Sequence, residues 1–293
     1  MQIKIGCHVS GAGGLWSAPI NANELGCETF QIFSRSPQGG PVKPIEAETV
    51  EKFKSEMEKH GFSEFVIHAP YILNFGSGNP RTYHGSVSIV RGELDRGSML
   101  GAKYVMFHTG SGKDLGREKA MKQAREGIKK VLDGYKGSTK LLLENAAGAG
   151  EILGDTFEEL AELSEPIRKH PAFGGFCYDT QHAFASGYDI RTPKAVVDTF
   201  KKFDQTIGLE WLAMCQINDS KTELGSHKDR HEHIKEGLIG EKGFAALIDF
   251  IQNNPKIKKS KKNGDFNLIL ETEHDKVEID IKKLKDLRNK SKK

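Results

Sequence analysis

Six short apolar runs in this chain close on a residue able to bind a metal: VIHAPY, YVMFHTG, LLLENAAG, FCYDTQH, CQINDSK followed by DRH, and LILETEH. Imidazole nitrogens and carboxylate oxygens are the ordinary protein ligands of divalent transition metals. His68, His108, Glu144, Asp179, Gln216 and Glu271 stand at the ends of these runs, and the segments just beyond add His182, Asp229 and His231. A lone histidine in such a place is usually a satisfied rim or core residue, and a lone carboxylate usually caps a helix. Recurrence on one strand end after another has no such explanation, because so many charges gathered at one axis need cations to neutralise them. Mixed imidazole and carboxylate ligation suits zinc, with manganese or iron as alternatives, and has too little oxygen-only character for calcium. A catalytic zinc takes about three protein ligands. Gln216 aside, eight good ligands therefore suggest two or three ions. Ions roughly 3.5 to 4 Å apart can activate a water and offset the charge of a departing oxyanion, which is what cleavage of a phosphodiester requires.

Ligands spread over so much sequence need a scaffold that gathers strand ends. The chain alternates β-rich runs with amphipathic helical stretches, a pattern that implies a parallel sheet with helices packed outside it. Strands are expected at IKIGCHV, TFQIFS, FVIHA, YVMFHT, LLLEN, GFCYDT, AMCQIN and LILETE. Helices are expected near Leu15 to Leu25, Glu46 to His60, Tyr83 to Leu100, Arg117 to Leu132, Thr156 to Arg168, Pro193 to Thr206, Lys242 to Gln252 and Val277 to Leu287. Eight such units predict an α/β fold, a single (β/α)8 TIM barrel whose active site lies at the C-terminal face of the strands. One domain is expected over 1–293, with the barrel over about 2–288 and a basic tail at 289–293. The pieces GSGNP and GAGEILGD read as loop punctuation, since neither is long enough to be a linker.

Composition narrows the setting. Hydrophobic residues make up 37% and charged residues 28% of the 293 positions, and no run approaches the roughly 18 apolar residues of a membrane span. The start, MQIKIGCHVSG, lacks the apolar core of a signal peptide, so a cytoplasmic protein with no membrane partner is expected. A net charge of +3, from 43 basic and 40 acidic residues, neither favours nor opposes a polyanionic partner. Lysines crowd KIKKSKKNG and KDLRNKSKK, which read as a solvated loop and a frayed tail. Cys7, Cys27, Cys177 and Cys215 show no C-x-x-C spacing, and three of them fall in expected strands as small buried hydrophobes, consistent with a reducing compartment.

At these residues the chain resembles the endonuclease IV family of zinc-dependent abasic-site endonucleases, AP endonuclease family 2, along nearly its whole length. The resemblance is carried by GCHVSGAGG, IHAPY, HTGS, LLENAAG, YDTQHAFASGYD, NDSK followed by DRHEHI, and ILETEH. It implies a trinuclear zinc centre in which His68 and His108 bind a first ion and Glu144 bridges it to a second, held also by Asp179 and Glu271. His182, Asp229 and His231 would bind a third, more exposed ion. It further implies a DNA-repair hydrolase, a monomer, that cuts the phosphodiester 5′ to abasic sites in double-stranded DNA and leaves a 3′-hydroxyl, with 3′-phosphodiesterase trimming as a side activity. Glu144 would be catalytic, helping to position and deprotonate a water whose pKa zinc lowers to near 7. Tyr71 looks like the aromatic side chain that wedges into the gap left by an extruded nucleotide.

The chain departs from the family at several positions. Gln38 stands where the family carries an arginine and Gly40 where it carries an aromatic residue, with Arg35 upstream as a compensating cation. His8 and the loop Ser10 to Gly14 are expected to approach the DNA backbone, as is Lys235, where the family tends to have glycine. Gln216 replaces a histidine that would bind the second zinc. The adjacent Cys215 should face the helices, because neighbouring strand residues point to opposite faces, and His227 is a replacement ligand from another direction. A glutamine carbonyl is a harder and weaker donor than imidazole, which shifts the second site toward manganese or magnesium.

Two other functions share parts of this pattern. Sugar isomerases and epimerases of the same barrel bind two divalent ions at strand ends, and a nuclease lacking one ligand could persist as a catalytically weakened damage-binding protein. The D-R-H triplet and the YDTQHAF segment favour the nuclease, and eight intact ligands argue against the binder.

Overall fold

The computed structural model describes residues 1–260 and 264–291. Eight parallel strands close into a barrel: β1 (Ile3–His8), β2 (Thr29–Ile32), β3 (Val66–His68), β4 (Tyr104–Phe107), β5 (Lys140–Glu144), β6 (Phe173–Asp179), β7 (Leu212–Gln216) and β10 (Phe266–Leu270). Their order around the barrel is that of the sequence, closed by pairing of β1 with β10 and β2. All eight expected strands are present, and the TIM barrel stands. The outer helices are α1 (Ser17–Glu24), α2 (Ala47–Lys59), α3 (Pro80–Leu100), α4 (Arg117–Leu132), α5 (Phe157–Ser164), α7 (Pro193–Thr206), α8 (Gly240–Asn253) and α10 (Val277–Lys290). Helix α3 begins a turn earlier than its apolar spacing predicts, because Asn79 accepts from the Arg81 and Thr82 amides and Pro80 suits the first turn.

Alternation along the strands sorts the apolar side chains into two clusters. One holds Ile67, Phe107, Leu143, Tyr178, Cys215 and Leu270 and packs with the helices. The other holds Val66, Met106, Leu142, Cys177, Met214 and Ile269, which by parity fill the barrel itself. Two residues beyond these inner six stand His68, His108, Glu144, Asp179, Gln216 and Glu271. A period of two therefore turns all six into the mouth of the barrel, above its apolar plug. Cys215 faces outward as expected.

Four short elements were not anticipated. Helix α6 (Thr180–Ala185) follows β6 directly, and a two-stranded clasp, β8 (Asp219–Ser220) against β9 (His231–Glu232), closes the loop after β7. The first half of KIKKSKKNG is helical rather than looped: α9 (Pro255–Ser260) buries Ile257 against the core while its lysines remain outside. Lys261, Lys262 and Asn263 lie outside the described residues. The expected basic tail also starts too early, since α10 runs to Lys290. Its Arg288 is buried, with Nη1 donating to the Ile3 carbonyl at 2.7 Å and paired with Glu28. Among the described residues no helix is long and apolar enough to cross a membrane.

Candidate metal centre

Glu144, at the end of β5, occupies the middle of the barrel mouth. Its Oε2 lies 3.1 Å from His68 Nε2 on β3, and its Oε1 lies 3.5 Å from His108 Nε2 just past β4 and 3.3 Å from His182 Nδ1 on α6. Helix α6 explains how His182 arrives there. Asp179 Oδ1 caps that helix by accepting from the His182 amide at 2.7 Å, so a single turn carries the imidazole back over the strand ends. His182 Nε2 in turn lies 3.3 Å from Asp229 Oδ2 and 3.4 Å from His231 Nε2, and His231 Nε2 lies 3.4 Å from Asp229 Oδ1. Two triads have ligand atoms all within 4.8 Å of one another, His68 with His108 and Glu144, and Asp179 with His182 and His231. Asp229, 56% exposed, completes the second from the solvent side.

The loop that carries Asp229 and His231 is held by a carboxylate that the sequence reading passed over. Asp219 is fully buried. Its Oδ1 accepts from the Ser220 and Ile239 amides at 2.9 and 2.8 Å, and its Oδ2 from the Lys235 amide at 3.1 Å. A Cβ at Gly237 would come within 2.5 Å of that carboxylate, so only glycine fits beside it. His233 fastens the same segment to α10, with Nδ1 2.7 Å from Asp280 Oδ2 and Nε2 3.0 Å from Asp275 Oδ1.

Glu271 and Gln216 lie outside both triads and are placed by buried amides. Asn218 donates to Asp179 Oδ2 at 2.7 Å and accepts the Glu271 amide at 2.7 Å, so one side chain spaces two candidate ligands. Asn145 pairs with the Asp179 backbone in both directions, at 2.8 and 3.0 Å. Gln31, on β2, reaches both Glu271 and Gln216. None of these three amides was singled out from sequence. The signal was present for Asn145, which follows a candidate ligand, and for Gln31, an amide flanked by Phe30 and Ile32 in an apolar strand.

Electrostatics in this metal-free arrangement distribute protons among the rings. Burial alone would depress the His68 imidazole, but the hydrogen bond and charge of Glu144, helped by Glu271, raise it to about 9. His182 is likewise driven well above its ordinary value against burial, by Asp179 and Asp229. Burial lowers His108 to about 4. Glu144 stays ionised well below the usual carboxylate range despite its burial, because His108, His182 and His68 surround it. Burial raises Glu271, which has fewer cations beside it. Glu144 Oε1, His108 Nδ1 and Gln216 Oε1 are buried without a hydrogen bond. Buried polar atoms are nearly always paired, and a donor set of this kind with orphaned atoms fits divalent cations.

The other predicted residues divide. Tyr71 projects from the rim, 63% exposed, with its ring edge-on to Phe33 at 5.3 Å and 5.7 Å from His68. Gln38 is exposed beside Gly39 and Gly40, whose φ angles of 84° and 102° lie in the left-handed region. Arg35 does not compensate for the missing rim arginine, since its guanidinium turns inward with Nε 3.7 Å from buried Glu93. His8 points at Gln31, 2.9 Å from its Nε2, and burial with the neighbouring His68 and His274 lowers it to about 3. His8 also lines, with Ser10, Arg35, Pro37 and His274, a groove of about 570 Å³ that opens beside the centre. His227 is not a replacement ligand for the second site: it lies over Gly148 in the loop after β5, where a Cβ would meet its Nδ1 at 2.3 Å.

Lys235 pairs with Glu241 at 2.9 Å and is not a free cation. Its φ of 76° is left-handed, which explains why glycine suits this position. Lys235→Gly is therefore expected to stabilise the protein by about 0.5–1 kcal/mol, the relief of strain exceeding the loss of an exposed ion pair and the added freedom of the unfolded chain. Urea denaturation would read this as a higher midpoint at unchanged slope, and a lower midpoint would contradict the strain.

Residues 20–279 match the family described as xylose isomerase-like TIM barrel. The "probable endonuclease 4" of Halothermothrix orenii is 36% identical over 270 residues, 92% of this chain and 93% of that protein. Among solved structures, endonuclease IV from Thermus thermophilus superposes with a TM-score of 0.81 at 30% identity, covering 98% of this chain and 99% of that one. A D-tagatose 3-epimerase-like protein shares the fold, with a TM-score of 0.70 at 19% identity over 99% of this chain and 100% of that one.

Proposed function

The chain belongs to the endonuclease IV family and is a metal-dependent DNA-repair endonuclease, and we propose that it hydrolyses the phosphodiester 5′ to abasic sites in duplex DNA, leaving a 3′-hydroxyl. The observation that carries this reading is the ionised Glu144 carboxylate facing His68, His108 and His182 at once, which joins the two triads into one centre. His68, His108 and Glu144 would hold a first zinc, Glu144 with Asp179, Glu271 and Gln216 a second ion, and His182, Asp229 and His231 a third. Manganese or magnesium suits the second position, where oxygen donors predominate. Bound cations supply the Lewis acidity that activates water and offsets charge on the phosphoryl and leaving oxygens.

The residues do the rest. Glu144, facing His68, His108 and His182 at the middle of the mouth, would help to position and deprotonate the attacking water. Asn218 holds the Asp179 carboxylate and the Glu271 backbone, and Asn145 holds the Asp179 backbone. Tyr71, exposed at the rim over the His68 ring, fills the gap in a flipped duplex. With Gln38 uncharged and Arg35 turned inward, this rim brings less positive charge to the minor groove than an arginine would. One chain carries every proposed ligand, which supports action as a monomer. Cys7, Cys177 and Cys215 are buried among apolar side chains, in keeping with a reducing cytoplasm.

A labelled duplex bearing one tetrahydrofuran abasic analogue tests the reading. Incision that requires metal and yields a polymerase-extendable 3′ end is expected. A gel shift without incision would instead support a damage-binding protein, and neither shift nor incision would favour the epimerase class.

A further inference from the structure

Gln31 is fully buried on β2, between Phe30 and Ile32, which belong to the helix-facing cluster. Parity turns it into the barrel mouth. There its Nε2 donates to Glu271 Oε1 and lies 2.9 Å from His8 Nδ1, while its Oε1 accepts from Gln216 Nε2 at 3.3 Å. A glutamine amide offers N–H at one end and a carbonyl at the other. Engaging the Gln216 nitrogen therefore leaves the Gln216 carbonyl as the free end, and that oxygen is buried with no hydrogen bond. An orphaned buried carbonyl is costly. It is accounted for where a cation completes it.

We propose that Gln31 is a positioning residue that turns the Gln216 carbonyl toward the centre and holds Glu271 beside it, making the second position an oxygen-only site that holds zinc less tightly than an imidazole-bearing site would and is open to manganese when manganese is abundant. This rests on the metal centre proposed above and assigns the selectivity of one of its positions. Glu144, Asp179, Glu271 and Gln216 supply oxygen alone there, and oxygen donors suit harder cations than imidazole does. With leucine at position 31, Gln216 loses the side-chain partner of its nitrogen and can rotate to offer nitrogen, while Glu271 loses a donor.

The test is metal content, independent of cleavage. Stripped protein is titrated with manganese chloride and zinc chloride, alone and together, with free manganese followed by electron paramagnetic resonance and bound metal by emission spectroscopy. With manganese in large excess over zinc, the wild type is expected to hold one manganese per chain. Gln31→Leu should weaken that manganese about tenfold without changing the remaining zinc content. Gln216→His should replace the manganese with zinc, a gain that misfolding cannot mimic. A wild type that fills every position with zinc even under that excess of manganese, or a Gln31→Leu protein that binds manganese as tightly as the wild type, overturns the proposal while leaving the metal centre standing. A protein that binds neither metal overturns both.

Discussion

Glu144→Gln should lower kcat/KM for incision at an abasic analogue by at least about a thousandfold, the scale on which preorganised charge acts in a water-poor site. The substitution is isosteric, so the barrel keeps its shape, but it removes the one charge shared by three imidazoles. Glu144 lies 3.1 Å from His68, 3.5 Å from His108 and 3.3 Å from His182, and no other carboxylate among the described residues stands within reach of all three. An amide would bind a cation less well and could accept no proton from water. Its N–H would also face the ring nitrogens that now surround an anion. The His68 pKa, raised to about 9 chiefly by Glu144 against burial, should fall in the variant, and a histidine titration followed by NMR would see this in the metal-free protein. Incision within tenfold of the wild type would remove Glu144 from the catalytic role.

Exhaustive chelation should abolish incision, a loss of at least about ten-thousandfold, and should lower the melting temperature. A cation that binds only the folded chain, at a thousand times its dissociation constant, adds about 4 kcal/mol, or about 6–7 °C for a chain of this size. Readdition of zinc with manganese should restore both. The pH dependence of binding follows from His68. At pH 7 its imidazole holds a proton in the metal-free protein, and a cation must displace it, so affinity falls as pH drops and rises toward pH 9. Calorimetry in buffers of different ionisation enthalpy counts the released protons, and none released would contradict the His68–Glu144 pairing.

The same two rings shape the stability of the stripped protein in opposite senses. His68 is raised, so its contribution is full below the unfolded histidine value near 6.5 and is lost as pH rises through about 9. His108 is lowered to about 4 by burial, so its contribution is present above about 6.5 and is lost as pH falls toward 4. The combined contribution of these two groups is greatest near pH 6.5.

Much of the fold could be read in one dimension because the forces that shape it act over short stretches of chain. Short β-rich apolar runs between amphipathic stretches gave eight strands, and a period of two along them turns His68, His108, Glu144, Asp179 and Glu271 to the inner face at the mouth. The amphipathic period located α4 and α7 to the residue, Arg117–Leu132 and Pro193–Thr206. Short elements escaped, because α6 and the β8–β9 clasp hold too few residues to show any period and depend on the Asp179 cap and the buried Asp219 carboxylate. KIKKSKKNG misled for a related reason. Its charge looked solvated, yet one isoleucine was enough to dock α9.

What the residue types alone determined was the set of candidate ligands and, with it, the class of chemistry. What only the tertiary structure decided was who holds the ligands. Gln31 meets Gln216 and Glu271 across 185 and 240 positions of chain, and Arg35 turns to Glu93 rather than to solvent. Such partners are set by barrel closure and strand register, which bring distant residues together according to the packing of the whole chain, and no local pattern encodes that.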